Sequence, residues 1–158
     1  MALRRVICLL LLSAICFVCA GCSYITDFVV VNNSAQPIEV RYRVKQFPSE
    51  FGLPDKPAII LASLLDSHGG QQWNVLTSGQ FAVDQGNRAV TVRVMPGDGL
   101  RVADMVNYSG HEDAWDANEF PVDGITISGT NGNVELAGPK TRTAFAEVSL
   151  ALYTLTYK

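Results

Sequence analysis

Past residue 22 the 158-residue chain contains no cysteine at all; its four cysteines are Cys8, Cys16, Cys19 and Cys22. A disulfide framework is therefore excluded for everything downstream, and a domain built there must be held by its apolar core. Histidine is almost as scarce, with only His68 and His111. Basic residues are outnumbered, twelve Lys and Arg against fifteen Asp and Glu, a balance that argues against a nucleic-acid partner and against a polybasic membrane clamp. There is no internal repeat, no heptad pattern, no low-complexity tract and no amphipathic helical pattern of three turns or more.

Catalytic signatures are missing as well. Nucleophilic hydrolysis needs a hydroxyl or thiol beside an oriented base, but no Gly-x-Ser-x-Gly elbow occurs, and Ser109-Gly110-His111 is only an adjacency in sequence. Gly132 and Gly138 enclose five residues where a phosphate loop has four, and Pro139 stands before Lys140-Thr141 where that loop requires Gly-Lys. The chain reads as non-enzymatic, with no cofactor expected.

What is present begins at the N-terminus. Arg4 and Arg5 precede a fifteen-residue, mostly apolar run from Val6 to Ala20, and the small pair Ala20-Gly21 stands directly before Cys22. This is the layout of a secretory signal, and the run is shorter than the roughly 20 residues of a membrane-spanning helix. Cys19-Ala20-Gly21-Cys22 resembles a bacterial lipobox, with Cys19 where leucine is commonest. The resemblance implies cleavage after Gly21, a diacylglycerol on the Cys22 thiol and, usually, acylation of the new amine. Two or three buried chains, at about 0.8 kcal/mol per CH₂, hold a protein on a bilayer where one would release it. By the same resemblance Ser23, in the position where Asp retains lipoproteins in the inner membrane of enteric-type bacteria, favours the periplasmic face of the outer membrane. The alternatives are an ordinary cleaved signal and an uncleaved anchor.

Three segments follow: a cleaved signal over residues 1–21, a lipidated N-terminus and short tether over 22–27, and one domain over 28–158. Loss of Arg4 and Arg5 leaves ten basic residues against fifteen acidic ones, a charge of −5.

The domain is expected to be an all-β, antiparallel sandwich, immunoglobulin-like with seven to nine strands, or else a small barrel. The cleanest periodicity runs from Ile38 to Lys45, where Ile38, Val40, Tyr42 and Val44 should cover a core while Glu39, Arg41, Arg43 and Lys45 face water. Phe28–Val31 precedes it across the turn residues Asn32–Pro37, predicting an antiparallel pair. Residues 46–57, with three prolines, read as a loop. Ala58–Ala62 predicts a strand with a short turn or helix after it, and 73–76 and 80–83 predict short strands about Thr77-Ser78-Gly79. Val90–Val94 stops at the turn Pro96–Gly99 and predicts a partner in Leu100–Val106, whose alternation Ala103 and Asp104 blur. Residues 107–118 read as a loop. Residues 120–128 and 134–136 flank a hairpin turn of the Asn-Gly kind at Thr130–Asn133, and Phe145–Tyr157 reads as one long inner strand.

The local ligand cluster is His111-Glu112-Asp113-Ala114-Trp115-Asp116-Ala117-Asn118-Glu119. Its oxygens suit Ca²⁺, and His111, Asp113 and Asp116 suit Zn²⁺ or Fe²⁺; a solvated acidic loop is the favoured reading, since neither the EF-hand spacing nor a nearby second histidine is present. Trp73 is expected in the core and Trp115 in a partly exposed loop, with a sugar-stacking platform of Trp73, Trp115 and Tyr108 as the alternative. The sequence thus predicts a lipid-anchored, non-enzymatic binding or assembly module, with the membrane and an envelope protein or glycan as partners. The rival is a metal-binding or hydrolytic envelope protein using the His111 to Glu119 loop.

Overall fold

The computed structural model describes residues 23–45, 57–65, 72–108, 120–149 and 151–158. The alternating run forms β2 (Ile38–Val44), in which Ile38, Val40, Tyr42 and Val44 are buried while Glu39, Arg41 and Arg43 are exposed. A strand with one apolar face needs a sheet around it and a second layer over it, and β2 has both. It is the central strand of a five-stranded antiparallel sheet in the order β5 (Phe81–Asp84), β6 (Ala89–Val94), β2, β8 (Val122–Gly129), β9 (Gly132–Ala137).

The covering layer is a six-stranded sheet. Its order is β10 (Ala146–Ser149), β11 (Leu152–Tyr157), β1 (Ser23–Asn32), β7 (Asp98–Tyr108), β3 (Ala58–Leu61), β4 (Asn74–Val75). Between the sheets lies one apolar cluster, with Phe28, Val30, Leu100 and Val102 from one side and Val40, Tyr42, Val92 and Ile125 from the other. At one place it is aromatic: Phe28 meets Phe120 edge-on at 4.8 Å and Phe145 at 5.6 Å, and stacks on Tyr153 at 5.2 Å. Each such pair adds about 0.5–1.5 kcal/mol to simple burial.

The molecule is therefore an all-β sandwich, and among the described residues the two sheets do not join into a closed barrel. With strands lettered in chain order, β2, β6 and β5 stand as B, E and D do in the immunoglobulin sandwich, and β3 and β7 as C and F. The flanks differ. β1 occupies the place beside β7 where strand G would stand, and β8 lies beside β2 where strand A would.

Several pairings differ from the sequence reading. β1 and β2 are not partners but belong to opposite sheets, because Asn32 is a strut across the sandwich. It is fully buried, its Nδ2 donates to Gln36 O at 2.9 Å and to Val94 O at 3.1 Å, and its Oδ1 accepts from Ser34 Oγ at 2.7 Å. β6 and β7 likewise separate, since the turn between them crosses between sheets with Gly97 N donating to Asn32 O at 2.8 Å. β1 and β11 run parallel from Asp27↔Leu152 to Asn32↔Tyr157, so the sandwich is not wholly antiparallel. In place of one strand, Ala146–Ser149 and Leu152–Tyr157 pair antiparallel as β10 and β11, with β10 at the sheet edge. A short helix, α1 (Pro139–Thr143), joins β9 to β10, and Pro at its start explains why it initiates there. The β8–β9 hairpin is present, but its loop residues are Thr130 and Asn131, neither with positive φ, in place of an Asn-Gly centre; the positive φ of +118° falls on Gly132, which pairs with Gly129. Residues Ser23 to Asp27, read as a tether, are part of β1.

Candidate functional site

A partly buried polar cluster lies on the outer face of the six-stranded sheet. In a regular strand alternate residues face outward, and in β7 Leu100 points into the core while Arg101 points out. Between Arg101 and Ala103 the register with β1 slips by one residue, so that Val102 is the extra residue of a β-bulge. Val102 and Ala103 both lie in the core, and Asp104 returns to the outer face as the direct partner of Asp27. The bulge thus brings Arg101 and Asp104 to the same side of Asp27. The alternation that Ala103 and Asp104 blur in the sequence is the trace of this bulge.

Asp27 is 6% exposed and its Oδ1 accepts from Arg101 Nη1 at 3.3 Å. Trp73 also donates to the Asp27 carboxylate, and the Arg101 guanidinium carbon lies 4.8 Å from the centre of the Trp73 ring. Trp73 is half-buried on this outer face rather than packed in the core. The reason is chemical: its indole N–H needs an acceptor when buried, and the core offers few, whereas Asp27 supplies one and Arg101 a cation for the ring face. Beside them Val29, Ala58, Ile60 and Leu152 are buried although they point away from the main core. A methyl group at Gly99 would stand 2.8 Å from Val29 Cγ1, so the glycine is what lets this second apolar layer close.

Burial pushes the Asp27 carboxyl above the ordinary carboxylate range, and Asp104 adds to that; the Arg101 charge and the hydrogen bonds from Arg101 and Trp73 pull the other way. Burial wins. Arg101 Nε is itself buried and has no hydrogen-bond partner. The group is an oriented ion pair with an aromatic cover and a second carboxylate alongside. It can fix β1 against β7 and hold a proton at Asp27 more firmly than a free carboxyl does.

The opposite outer face, that of the five-stranded sheet, is wet. Arg41 Nη2 donates to Asp84 Oδ2 at 2.8 Å, and Arg43 Nε donates to Asp123 Oδ1 at 2.6 Å. Here too a bulge assists: the register between β2 and β8 slips between Arg43 and Val44, which leaves Asp123 as the extra residue beside Arg43. Asp84 also accepts from the backbone N–H and Nδ2 of Asn87, and chiefly these bonds, with Arg41, lower its carboxyl to about 2.

Of the residues singled out from the sequence, Gly21 and Cys22 lie outside the described residues, as do His68 and the whole stretch from His111 to Glu119 with His111, Asp113, Asp116 and Trp115. The Asp27, Arg101, Trp73 and Asp104 group was not legible as a site. Its members are spread over 78 positions, Asp27 to Asp104, and only the bulge left a local signal. Comparison of the chain with protein-family models, with curated proteins and with solved structures finds no match.

Proposed function

We propose that this chain is a bacterial envelope lipoprotein, held at the periplasmic face of the outer membrane by lipid on Cys22, whose domain is a non-enzymatic binding or assembly module. The observation that carries the reading is the place of β1. The strand begins at Ser23, one residue after the lipobox-like cysteine, and pairs with β7 from that residue onward and with β11 from Asp27. An anchor on Cys22 is therefore joined to an interior strand of the sandwich with no free spacer.

Two consequences follow. Ser23 and its partner Tyr108 mark the membrane-proximal end. The turns Asn33–Gln36, Pro96–Gly97 and Thr130–Asn131 gather at the other end, a strand length away, or about 33 Å for the ten residues of β1 at about 3.3 Å each. The Asp27–Arg101–Trp73 group, five residues along from Cys22, stiffens the strand on which the anchor pulls. An exposed end and two outer sheet faces held a fixed distance from a bilayer suit contact with another envelope component, protein or glycan.

Fractionation of cells expressing the wild type and Cys22→Ser tests the anchoring: the wild type should sediment with outer membranes and the variant should be released. Photocrosslinking in intact cells from the distal turns should then capture a discrete partner. A metal-binding or hydrolytic role for the His111 to Glu119 loop predicts instead a stoichiometric metal in the purified protein that is lost in His111→Ala.

A further inference from the structure

The outer face of the five-stranded sheet carries a cleft of about 160 Å³. Its floor is a row of small residues in register: Ala89 and Gly124 flank Arg43 on β6 and β8, and Ala137 faces Gly124 from β9. Large side chains stand around that floor, Arg41 and Arg43 on one side, Asn87 at the β5–β6 turn, and Thr126 and Glu135 on the other. A methyl group at Gly124 would stand 3.4 Å from Arg43 Nη2 and 3.5 Å from Leu136 O, so glycine is what keeps the space open beside the guanidinium.

The donors are held in place from outside the cleft. Arg43 is fixed through Nε by Asp123, which leaves both of its Nη groups for a ligand, and Arg41 is fixed through Nη2 by Asp84, which also orients Asn87. A guanidinium pre-set in this way loses little freedom when it takes a carboxylate in a forked pair. The charge count then decides what the ligand is. The charged groups that line the cleft are the guanidinium groups of Arg41 and Arg43 and the Glu135 carboxylate. A simple anion would leave Glu135 unmatched, and a simple cation would leave the Arg43 donors unmatched. Only a molecule carrying both signs satisfies both walls.

We infer that the cleft binds an amino-acid-sized zwitterion, its carboxylate on the free Nη groups of Arg43 with Arg41 beside them, and its ammonium on Glu135. The cleft is open to solvent on one side and has room for an alanine of about six heavy atoms. This inference does not depend on the lipid anchor.

The test is a ¹⁵N NMR titration of the full-length protein in detergent micelles, using L-alanine, N-acetyl-L-alanine, L-alaninamide and sodium acetate as probes. L-alanine should produce saturable shifts at the Gly124, Thr126 and Glu135 amides. The two blocked compounds should bind about tenfold more weakly or worse, since each lacks one charge-assisted contact. Glu135→Gln should weaken L-alanine by about tenfold while leaving N-acetyl-L-alanine unchanged. Gly124→Leu should abolish the shifts by filling the floor; the exposed change Glu135→Gln carries the test if Gly124→Leu fails to fold. The inference is overturned if L-alanine gives no saturable shift at these amides, if the blocked compounds bind as well as L-alanine, or if acetate alone matches it.

Discussion

Asp27 and Arg101 meet at 3.3 Å although they are not cross-strand partners: Asp27 lies opposite Asp104, and Arg101 opposite Val29. The bulge at Val102 adds one residue to β7 on the core side and so turns Asp104 outward, opposite Asp27. A regular strand would have put Asp104 inward, where an unpaired charge is costly, and would have left Asp27 with Arg101 alone.

Removing one partner of a largely buried ion pair leaves the other charge without compensation. Arg101→Met should therefore destabilise the domain by about 2–4 kcal/mol in urea denaturation, at or just below the usual range for a broken buried pair because Arg101 keeps some exposure. Asp27→Asn should cost less, since the isosteric amide oxygen still accepts from Arg101, whose remaining charge is the more exposed of the two. The double variant should be less destabilised than the sum of the two. Strict additivity would mean that the pair contributes nothing as a pair.

The two perturbed aspartates predict opposite responses to acid. Asp84 is lowered from 3.8 to about 2, so its contribution to stability is complete above about 4 and is lost as the pH falls through about 2. Asp27 is raised, so its contribution is complete below the unfolded value of about 3.9 and is lost as the pH rises through the folded-state value. Carboxyl ¹³C titration should find the Asp84 midpoint near 2 and that of Asp27 above 3.8. In Arg101→Met the Asp27 midpoint should rise further. Asp84→Asn should reduce the fall in stability between about pH 4 and 2, and an unchanged fall would assign it to other carboxylates.

The sequence carried the inner layer of the fold much better than its connections. Ile38 to Val44 could be read directly because β2 is central, with one face on the core and one in water, and its alternation is unbroken. Which strands pair could not be read, because the deciding contacts are long-range. The Asn32–Val94 hydrogen bond sends two adjacent runs into different sheets, and nothing near Asn32 in sequence announces Val94. Likewise β11 reads as apolar on both sides because it sits between β10 and β1, with Leu152 buried on the outer face and Tyr157 on the inner. Trp73 looked like a core residue for want of any local sign that Asp27, 46 positions earlier, would accept a hydrogen bond from its indole N–H.

The two faces of β2 predict a contrast. Tyr42 is 3% exposed within the core, whereas Arg41 is exposed and paired with Asp84. Tyr42→Asp buries a charge and should cost several kcal/mol, about 3–5. Arg41→Asp loses a surface pair and sets two acids close together, for about 1 kcal/mol or less. Chemical denaturation of the two variants compares them directly, and similar losses would mean that the inward and outward faces are misassigned.

A fourth prediction concerns the far end of the sandwich. A methyl group at Gly129 would stand 2.6 Å from Tyr157 Oη and 2.9 Å from Tyr157 Cε1, while that hydroxyl donates to Gly132 O at 2.7 Å. Gly129→Ala must displace the ring and stretch the bond that ties the β8–β9 turn to the last strand. A loss of about 1–3 kcal/mol is expected, with much less in Gly129→Ala/Tyr157→Phe relative to Tyr157→Phe alone if the hydroxyl is the obstacle.

In the proposed lipoprotein an acylated cysteine is fused to the first strand of a bridge-free sandwich. Intact-mass and N-terminal peptide mass spectrometry of the protein purified from membranes tests it most directly. The expected product is a chain beginning at Cys22, with the mass of a diacylglycerol on its sulfur and an acyl group on its amine. A chain beginning at Met1, or one whose residue 22 carries an unmodified thiol, would contradict it.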